Sequence, residues 1–362
     1  MAGEFEEIGH SGGTITFDIR ADGRYSIQYR SDRPVPVSLI GFWIALPQMV
    51  AIAPYNMAMG GQDAPGLPGC FPVIISSDSE GKHGHQCEAC HGYWRSGPAP
   101  TRCPYCGSRA PYFHLLSEAQ RRFTEHYCNL LANGLDQQAD VSVVINMDEV
   151  ADAVKASGEK KPAFYVSEES QQHKFNCSGC GEFNDILGRF GYCSLCGERN
   201  DLVEFEAEVR TLRERVNTDV PSHEPICDAV GKFDSFVAQY AKQLAVKVPM
   251  VERRRKRLLE LRFHDLGRTA DEFRSWFGID LSDGVDADDQ ALAERLFHRR
   301  HVYEHNGGEV DQKYIDNSGD QTVRVKQHIR ETREDAHKLL NILSRAAKNL
   351  HHGFHSIFPP KR

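Results

Sequence analysis

Eight of the chain's eleven cysteines fall into two runs of one spacing, C-x2-C-x12-C-x2-C, and no other feature constrains the fold as strongly. The runs are Cys87/Cys90/Cys103/Cys106 and Cys177/Cys180/Cys193/Cys196; a glycine follows the second pair of each, at Gly107 and Gly197, and another follows Cys180. A C-x2-C pair forms a tight knuckle whose backbone N–H groups point at the sulfurs, and two knuckles supply the tetrahedral four-sulfur shell that zinc accepts. Two structural Zn2+ ions in two zinc ribbons are therefore expected. Four thiolates leave no open position for water, so such sites fold the polypeptide and do not catalyse. Corresponding cysteines lie 90 residues apart, as Cys87 and Cys177 do. Spacing alone leaves open whether ligands pair within each run or interleave, and the flanking residues show no convincing duplication.

In a small secreted chain so many cysteines would mean disulfides, but regular pairing in 362 residues favours metal ligation in a reducing compartment. Met1 to His10 carry three glutamates and no apolar run, unlike a secretory signal, so a cytoplasmic location is expected. The most apolar stretch, Val35 to Ala53, contains Pro36 and Pro47 and is shorter than a spanning helix; it reads as buried core, with no membrane partner. Cys70, Cys128 and Cys227 are expected to be buried thiols. A net charge of −8 excludes nonspecific coating of nucleic acid and requires any such contact to be local. Its best place is Lys247 to Arg268, where Arg253, Arg254, Arg255, Lys256, Arg257, Arg262 and Arg268 crowd one helix and its exit. A solvated helix face is the alternative there.

The fold class is α+β, in five segments: a β-rich region at 1–82, ribbons at 83–110 and 171–202, an α+β insert at 111–170, and helices over 203–362. Thr14 to Ile19 and Tyr25 to Tyr29 alternate as strands about an Ala-Asp-Gly-Arg turn, forming a hairpin. Phe71 to Ser76 reads as a further strand, and Ser76 to His85 as a surface connector. Ser117 caps a helix to Leu135, Val141 to Ile145 is a strand, and Asp148 to Ala156 is helical. Gly158 to Pro162 reads as a loop before Ala163-Phe-Tyr-Val. Helical periodicity then covers Val203–Val216, Ile226–Val246, Val251–Phe263, Ala270–Phe277, Ala291–Glu304 and Val323–Leu350. Asp280 to Asp289 lacks the spacing of a calcium loop and reads as a solvated connection; His351 to Arg362 reads as frayed. His83, His85 and His91, beside a run that already has four cysteines, read as surface histidines. Tyr93, Trp94 and Tyr105 either stack on bases or cover a very small core, and the core reading is favoured.

Neither a phosphate-binding G-x-x-x-x-G-K-[ST] loop nor an H-E-x-x-H metalloprotease signature is present. What remains is Arg300-His301-Val302-Tyr303-Glu304-His305-Asn306-Gly307-Gly308, followed by Val310-Asp311 and Lys313-Tyr314-Ile315. An arginine, a polar neighbour and a histidine five positions on, then an Asn/Gly turn and V-D-x-K-Y, resembles the HEPN (higher eukaryotes and prokaryotes nucleotide-binding) domain family. The resemblance covers about Glu224 to Leu350. A count from Arg299 satisfies looser forms of the same pattern. Five helical positions turn about 140°, so Arg300 and His305 do not share a face of an ideal helix. Either His305 leaves the helical course at the Asn306-Gly307-Gly308 stop, or the two meet partners from another subunit.

The resemblance implies a helical bundle and a metal-independent endoribonuclease acting on RNA as a homodimer. It also implies an antiviral-defence or toxin effector answering to a phage or host trigger. In that reading His305 takes or relays the 2′-hydroxyl proton, Arg300 holds the scissile phosphate, and His301 orients or assists. A helix C-terminus favours Arg and His in any case, through its dipole. The competing reading is a noncatalytic sensor whose ribbons bind nucleic acid or protein while the helices dimerise.

Overall fold

The computed structural model describes residues 13–22, 24–30, 38–46, 48–55, 69–77, 80–135, 140–154, 172–261, 263 and 265–361. The expectations for Met1 to His10, Gly158 to Pro162 and Ala163-Phe-Tyr-Val lie outside these residues, as does Gly23 of the first turn. The chain divides into two units, residues 1–197 with 361–362, and residues 198–360.

The first unit is antiparallel. Strand β1 (Thr14–Ile19) pairs with β2 (Tyr25–Arg30) on one side and β8 (Val141–Asn146) on the other, and β3 (Leu39–Ala45) lies between β4 (Val50–Pro54) and β5 (Cys70–Ser76). Alternation places Ile15 and Phe17 of β1 fully inside, where Phe17 meets Phe71 and Tyr127 edge-on. Helix α1 (Glu118–Leu135) contributes Phe123, Tyr127, Cys128 and Leu131 to this core, and α2 (Met147–Val154) contributes Met147 and Val150. Ser117 does start α1: its Oγ accepts from the Gln120 amide at 3.2 Å while Gln120 Oε1 accepts from the Ser117 amide at 2.9 Å, a reciprocal capping box. Of the three remaining thiols Cys70 and Cys128 are buried as expected, whereas Cys227 is only half-buried.

Two expectations here are corrected. Residues 83–86 are not a surface connector but strand β6 (His83–Gln86), and His83 and His85 are buried. His83 Nε2 lies 3.3 Å from Ser38 Oγ and His85 Nε2 3.1 Å from the Gly97 carbonyl; burial pulls their imidazoles down to about 3 and about 4, so both are neutral. Only His91 of the three is exposed.

The second unit is helical: α3 (Asp201–Val216), α4 (His223–Lys247), α5 (Glu252–Glu260), α6 (Leu266–Phe277), α7 (Ala287–Asn306), α8 (Gln312–Ser318) and α9 (Arg333–Ile357). The long α4 packs against α3, α7 and α9, around Phe205, Phe233, Phe236, Tyr240 and Phe354. Asp286 closes the acidic connection by capping α7, its Oδ1 accepting from the Asp289 amide at 2.8 Å.

The last helix differs from expectation at both ends. It begins at Arg333, where Thr332 and Asp335 form a capping box, because Asp320 to Glu331 is spent on side-chain bonds to α7 and α8. It runs on to Ile357 with His351 and Phe354 buried, so His351 to Ile357 are helix and not frayed. No helix among the described residues is long and apolar enough to cross a membrane.

Candidate functional site

The cysteines cluster locally. In the first group Cys87 Sγ lies 3.7 Å from Cys106 Sγ, and Cys90 Sγ 3.6 Å from Cys103 Sγ. In the second, Cys177–Cys196 is 3.5 Å and Cys180–Cys193 is 3.6 Å. These separations are far longer than a disulfide bond and close to the roughly 3.8 Å edge of a tetrahedron with metal–sulfur bonds of about 2.3 Å. Each set of four falls within metal-binding geometry. Neighbouring thiols drive one member of each group toward thiolate: hydrogen bonding from Cys103 holds Cys106 down to about 4, and Cys177 and Cys196 hold Cys193 well down. Backbone amides aim at sulfur as a knuckle requires, Tyr105 N to Cys103 Sγ at 3.4 Å and Gly179 N to Cys177 Sγ at 3.3 Å. Two structural metal ions fit these residues.

The two groups share one four-stranded sheet, in the order β6-β7-β10-β9, where β7 is Tyr93–Ser96, β9 Gln172–Asn176 and β10 Phe183–Leu187. That palindromic order is a local twofold. His91 N bonds Cys87 O at 2.7 Å as Gly181 N bonds Cys177 O at 2.8 Å, and Gly107 N bonds Cys103 O as Gly197 N bonds Cys193 O, both at 3.0 Å. Across the axis, Arg102 N reaches Ser194 O at 3.0 Å while Tyr192 N reaches Pro104 O at 2.8 Å. His91, with φ of 56°, holds the left-handed position that Gly181 holds with φ of 78°.

Equivalent positions meet at the axis but carry opposite chemistry. Arg95 faces Asp185 in the β7–β10 register, Nη1 to Oδ2 at 3.0 Å, and both side chains are sealed from solvent. Arg95 Nη2 also takes Glu80 at 2.9 Å. The Arg102 guanidinium lies 5.6 Å from the Tyr192 ring centre, within cation–π range. Trp94 is fully buried and Tyr105 packs against the same small cluster, its hydroxyl bonded to Tyr93 O at 2.5 Å, in keeping with the core reading of these aromatics.

At the other candidate site, α7 continues through Asn306 and stops at Gly307, which takes φ of 60° while its amide bonds Val302 O. His305 therefore stays on the helix, so of the two alternatives the one in which it leaves the helical course is not realised. Arg300 and His305 keep their angular separation along α7. His301 and His305 share one stripe with ring centres 4.5 Å apart, and both are exposed. Burial, with His305 and Lys313 nearby, lowers the His301 imidazole below its usual range. Arg300 is partly exposed, and its Nε bonds Glu304 Oε1 at 2.9 Å.

Arg299 is built into the protein. Its guanidinium takes Asp320 Oδ2 at 2.8 Å, Thr322 Oγ1 at 2.9 Å and both oxygens of Glu331 at 3.2 Å, and Tyr314 Oη lies 3.3 Å from Nε. Asp320 also accepts from the Tyr314 hydroxyl at 2.5 Å and from the Thr322 amide and hydroxyl, and these donors hold its carboxyl well below the usual range. The V-D-x-K-Y residues have structural work as well. Val310 is buried, and Asp311 caps α8 through the Tyr314 amide at 2.7 Å and receives Asn306 Nδ2 at 2.9 Å. Tyr303 stacks on His223 at 4.4 Å and donates to Glu331 at 3.1 Å, so the ring beside the candidate residues is fixed.

The basic stretch is largely committed. Arg254 and Arg257 flank Trp276 at 5.5 and 5.4 Å, Arg257 and Arg268 converge on Glu272 at 2.6 and 3.4 Å, and Arg255 bonds Glu252 at 2.9 Å. Arg262 lies outside the described residues. No protein-family model matches the chain, and neither a curated protein nor a solved structure matches it.

Proposed function

We propose that the chain is a metal-independent endoribonuclease of the HEPN type, with Arg300, His301 and His305 as its working residues and a structural zinc in each four-cysteine group. The observation that carries this reading is the contrast over the last two turns of α7. Arg299 is consumed by Asp320, Glu331 and Thr322, whereas Arg300, His301 and His305 reach solvent at the end of α7. Of the two arginines only Arg300 is free to exchange its partner, since the half-exposed Glu304 is readily replaced by a phosphate.

The chemistry follows from these groups. His305, or His301 beside it, removes the proton from a ribose 2′-hydroxyl. The 2′-oxygen attacks the adjacent phosphorus and the 5′-oxygen leaves, taking a proton from the imidazolium of a second histidine. The products are a 2′,3′-cyclic phosphate and a 5′-hydroxyl. Arg300 forks onto the phosphate oxygens as charge gathers there. Because Arg300 and His305 diverge on one helix, pairing of two copies is the arrangement that brings an arginine and a histidine to one phosphate. A defence or toxin role rests on the family resemblance.

The test is cleavage of end-labelled total and transfer RNA by wild type, Arg300→Ala and His305→Ala. All three are checked for fold, bound metal and oligomeric state, with EDTA present only briefly enough to leave the cysteine-bound metal in place. Cyclic-phosphate ends produced by wild type and lost in both variants support the assignment; equal cleavage by all three overturns it. The alternative, a binding module built on the fused ribbons, predicts tight RNA or protein binding that ignores both substitutions.

A further inference from the structure

The helical unit brings together a third group of metal-binding side chains that uses no cysteine. His351 and His355 stand four positions apart on α9, hence one above the other on the same face, and Glu198 joins them from ahead of α3. The ligand atoms of the three residues all lie within 4.8 Å of one another. Glu198 Oε1 is 2.7 Å from His351 Nε2 and 3.6 Å from His355 Nε2. Ligands about 2.0–2.2 Å from a shared ion sit roughly 2.8–3.6 Å apart, close to the 2.7 and 3.6 Å that separate Glu198 from the two imidazoles.

An independent observation is the setting of the imidazoles. A metal-binding histidine normally hands its second ring nitrogen to a carbonyl, carboxylate or hydroxyl, which fixes the ring and turns the other lone pair to the metal. Here His355 Nδ1 meets the Phe358 carbonyl at 3.2 Å and His351 Nδ1 meets the Tyr240 hydroxyl at 2.7 Å, leaving both Nε2 atoms directed at Glu198. Beside them the Arg199 guanidinium is paired with Asp201, Nη2 to Oδ1 at 2.9 Å. The Arg199 amide lies 3.3 Å from His355 Nε2, a weak hydrogen bond that an ion displaces.

We propose that Glu198, His351 and His355 form a third metal site, a two-histidine, one-carboxylate set for a borderline first-row divalent cation such as Zn2+. Three protein ligands leave one coordination position for water or a small anion. All three side chains are at least four-fifths buried, so the ion ties the start of the helical unit to its last helix. The proposal is independent of the ribonuclease reading, because none of these residues belongs to the Arg300 site.

The experiment is reconstitution of the full chain with Co2+, with metal content measured by elemental analysis and by absorption. Four-cysteine sites give strong thiolate-to-cobalt charge transfer; the nitrogen–oxygen site gives only weak ligand-field bands. Wild type is expected to hold three equivalents. Glu198→Gln, which keeps a hydrogen-bond acceptor for His351, and the double variant His351→Ala/His355→Ala are expected to hold two, with the thiolate band unchanged. Tyr240→Phe is expected to weaken the third equivalent about 10- to 100-fold. Two equivalents in wild type at saturating Co2+, or three in Glu198→Gln, overturns the proposal. If the double variant fails to fold, Glu198→Gln decides alone.

Discussion

Among the buried arginine–aspartate pairs of the described residues, Arg95–Asp185 in the first unit and Arg299–Asp320 in the second respond to burial in opposite directions. Asp185 meets Arg95 through one oxygen, and its Oδ1 is buried with no hydrogen-bond partner among the described residues. Desolvation outweighs the arginine, and its carboxyl is raised above the usual range. Asp320 is nearly as deep, yet it accepts from Arg299, Tyr314 and Thr322 and is held well below that range. The number of donors, and not depth alone, decides whether a buried carboxylate is welcome. The ribbon pair uses its ion pair as a key between two small bodies, whereas the helical unit uses its network to set the end of α7.

The comparison can be broken at several points, taken in order of expected effect on folding. Replacing Cys193 with serine should be the most severe, since a four-cysteine zinc is worth on the order of 10 kcal/mol to a small domain. Proteolysis should then open the ribbon region while helical circular dichroism from residues 198–360 survives. Next, Arg299→Ala should cost about 3–5 kcal/mol by stranding Asp320 and Glu331, read as a lowered denaturant midpoint.

The acid response of the two aspartates should differ in sign. Asp320 is depressed in the folded state, so its contribution is present above the ordinary carboxylate value near 4 and is lost as pH falls below it. Asp185 is raised, so its protonation favours the folded state and its own contribution improves as pH falls toward its folded value. Comparing Asp320→Asn with Asp185→Asn between about pH 3 and pH 7 checks this. The stability difference from wild type should shrink toward acid for Asp320→Asn and should not shrink for Asp185→Asn. Smallest of all, Arg300→Ala should change stability by about 0.2–1 kcal/mol, since its bond to Glu304 is at the surface. The same change should cut RNA cleavage about 100- to 1,000-fold. A stability loss as large as that of Arg299→Ala would move Arg300 into the structural network.

The cysteine runs are legible because metal ligation by paired cysteines is local: a knuckle is specified by four residues and a glycine, and nothing distant is needed. The β1–β2 hairpin, the capping box at Ser117 and the long helices were legible for the same reason. The fusion of the ribbons was not. The likeness persists in backbone hydrogen bonds and in φ at His91 and Gly181, while most side chains at equivalent positions differ, so beyond the cysteines and Gly107 and Gly197 the sequence shows no convincing repeat. The start of α9 was misplaced because Val323, Val325 and Ile329 imitate helical spacing in a segment held by side-chain bonds. His83 and His85 are buried and not at the surface because histidine is ambivalent: burial depends on whether a carbonyl or hydroxyl waits for the ring, and the Ser38 hydroxyl and Gly97 carbonyl lie 45 and 12 positions away in sequence. Which arginine stays exposed at the end of α7 was equally hidden, since Asp320, Thr322 and Glu331 compete for it from 21 to 32 positions downstream.

The unlike chemistry at the ribbon axis also sorts the pieces. Two copies of the first ribbon, mated through the same β7–β10 register, would press Arg95 against Arg95 with no water between them, and two copies of the second would trap Asp185 against Asp185. Both like pairs carry an unpaid buried charge, so only first with second is stable. Ribbons made as separate peptides and mixed with metal would find their opposites, as complementary halves of one latch.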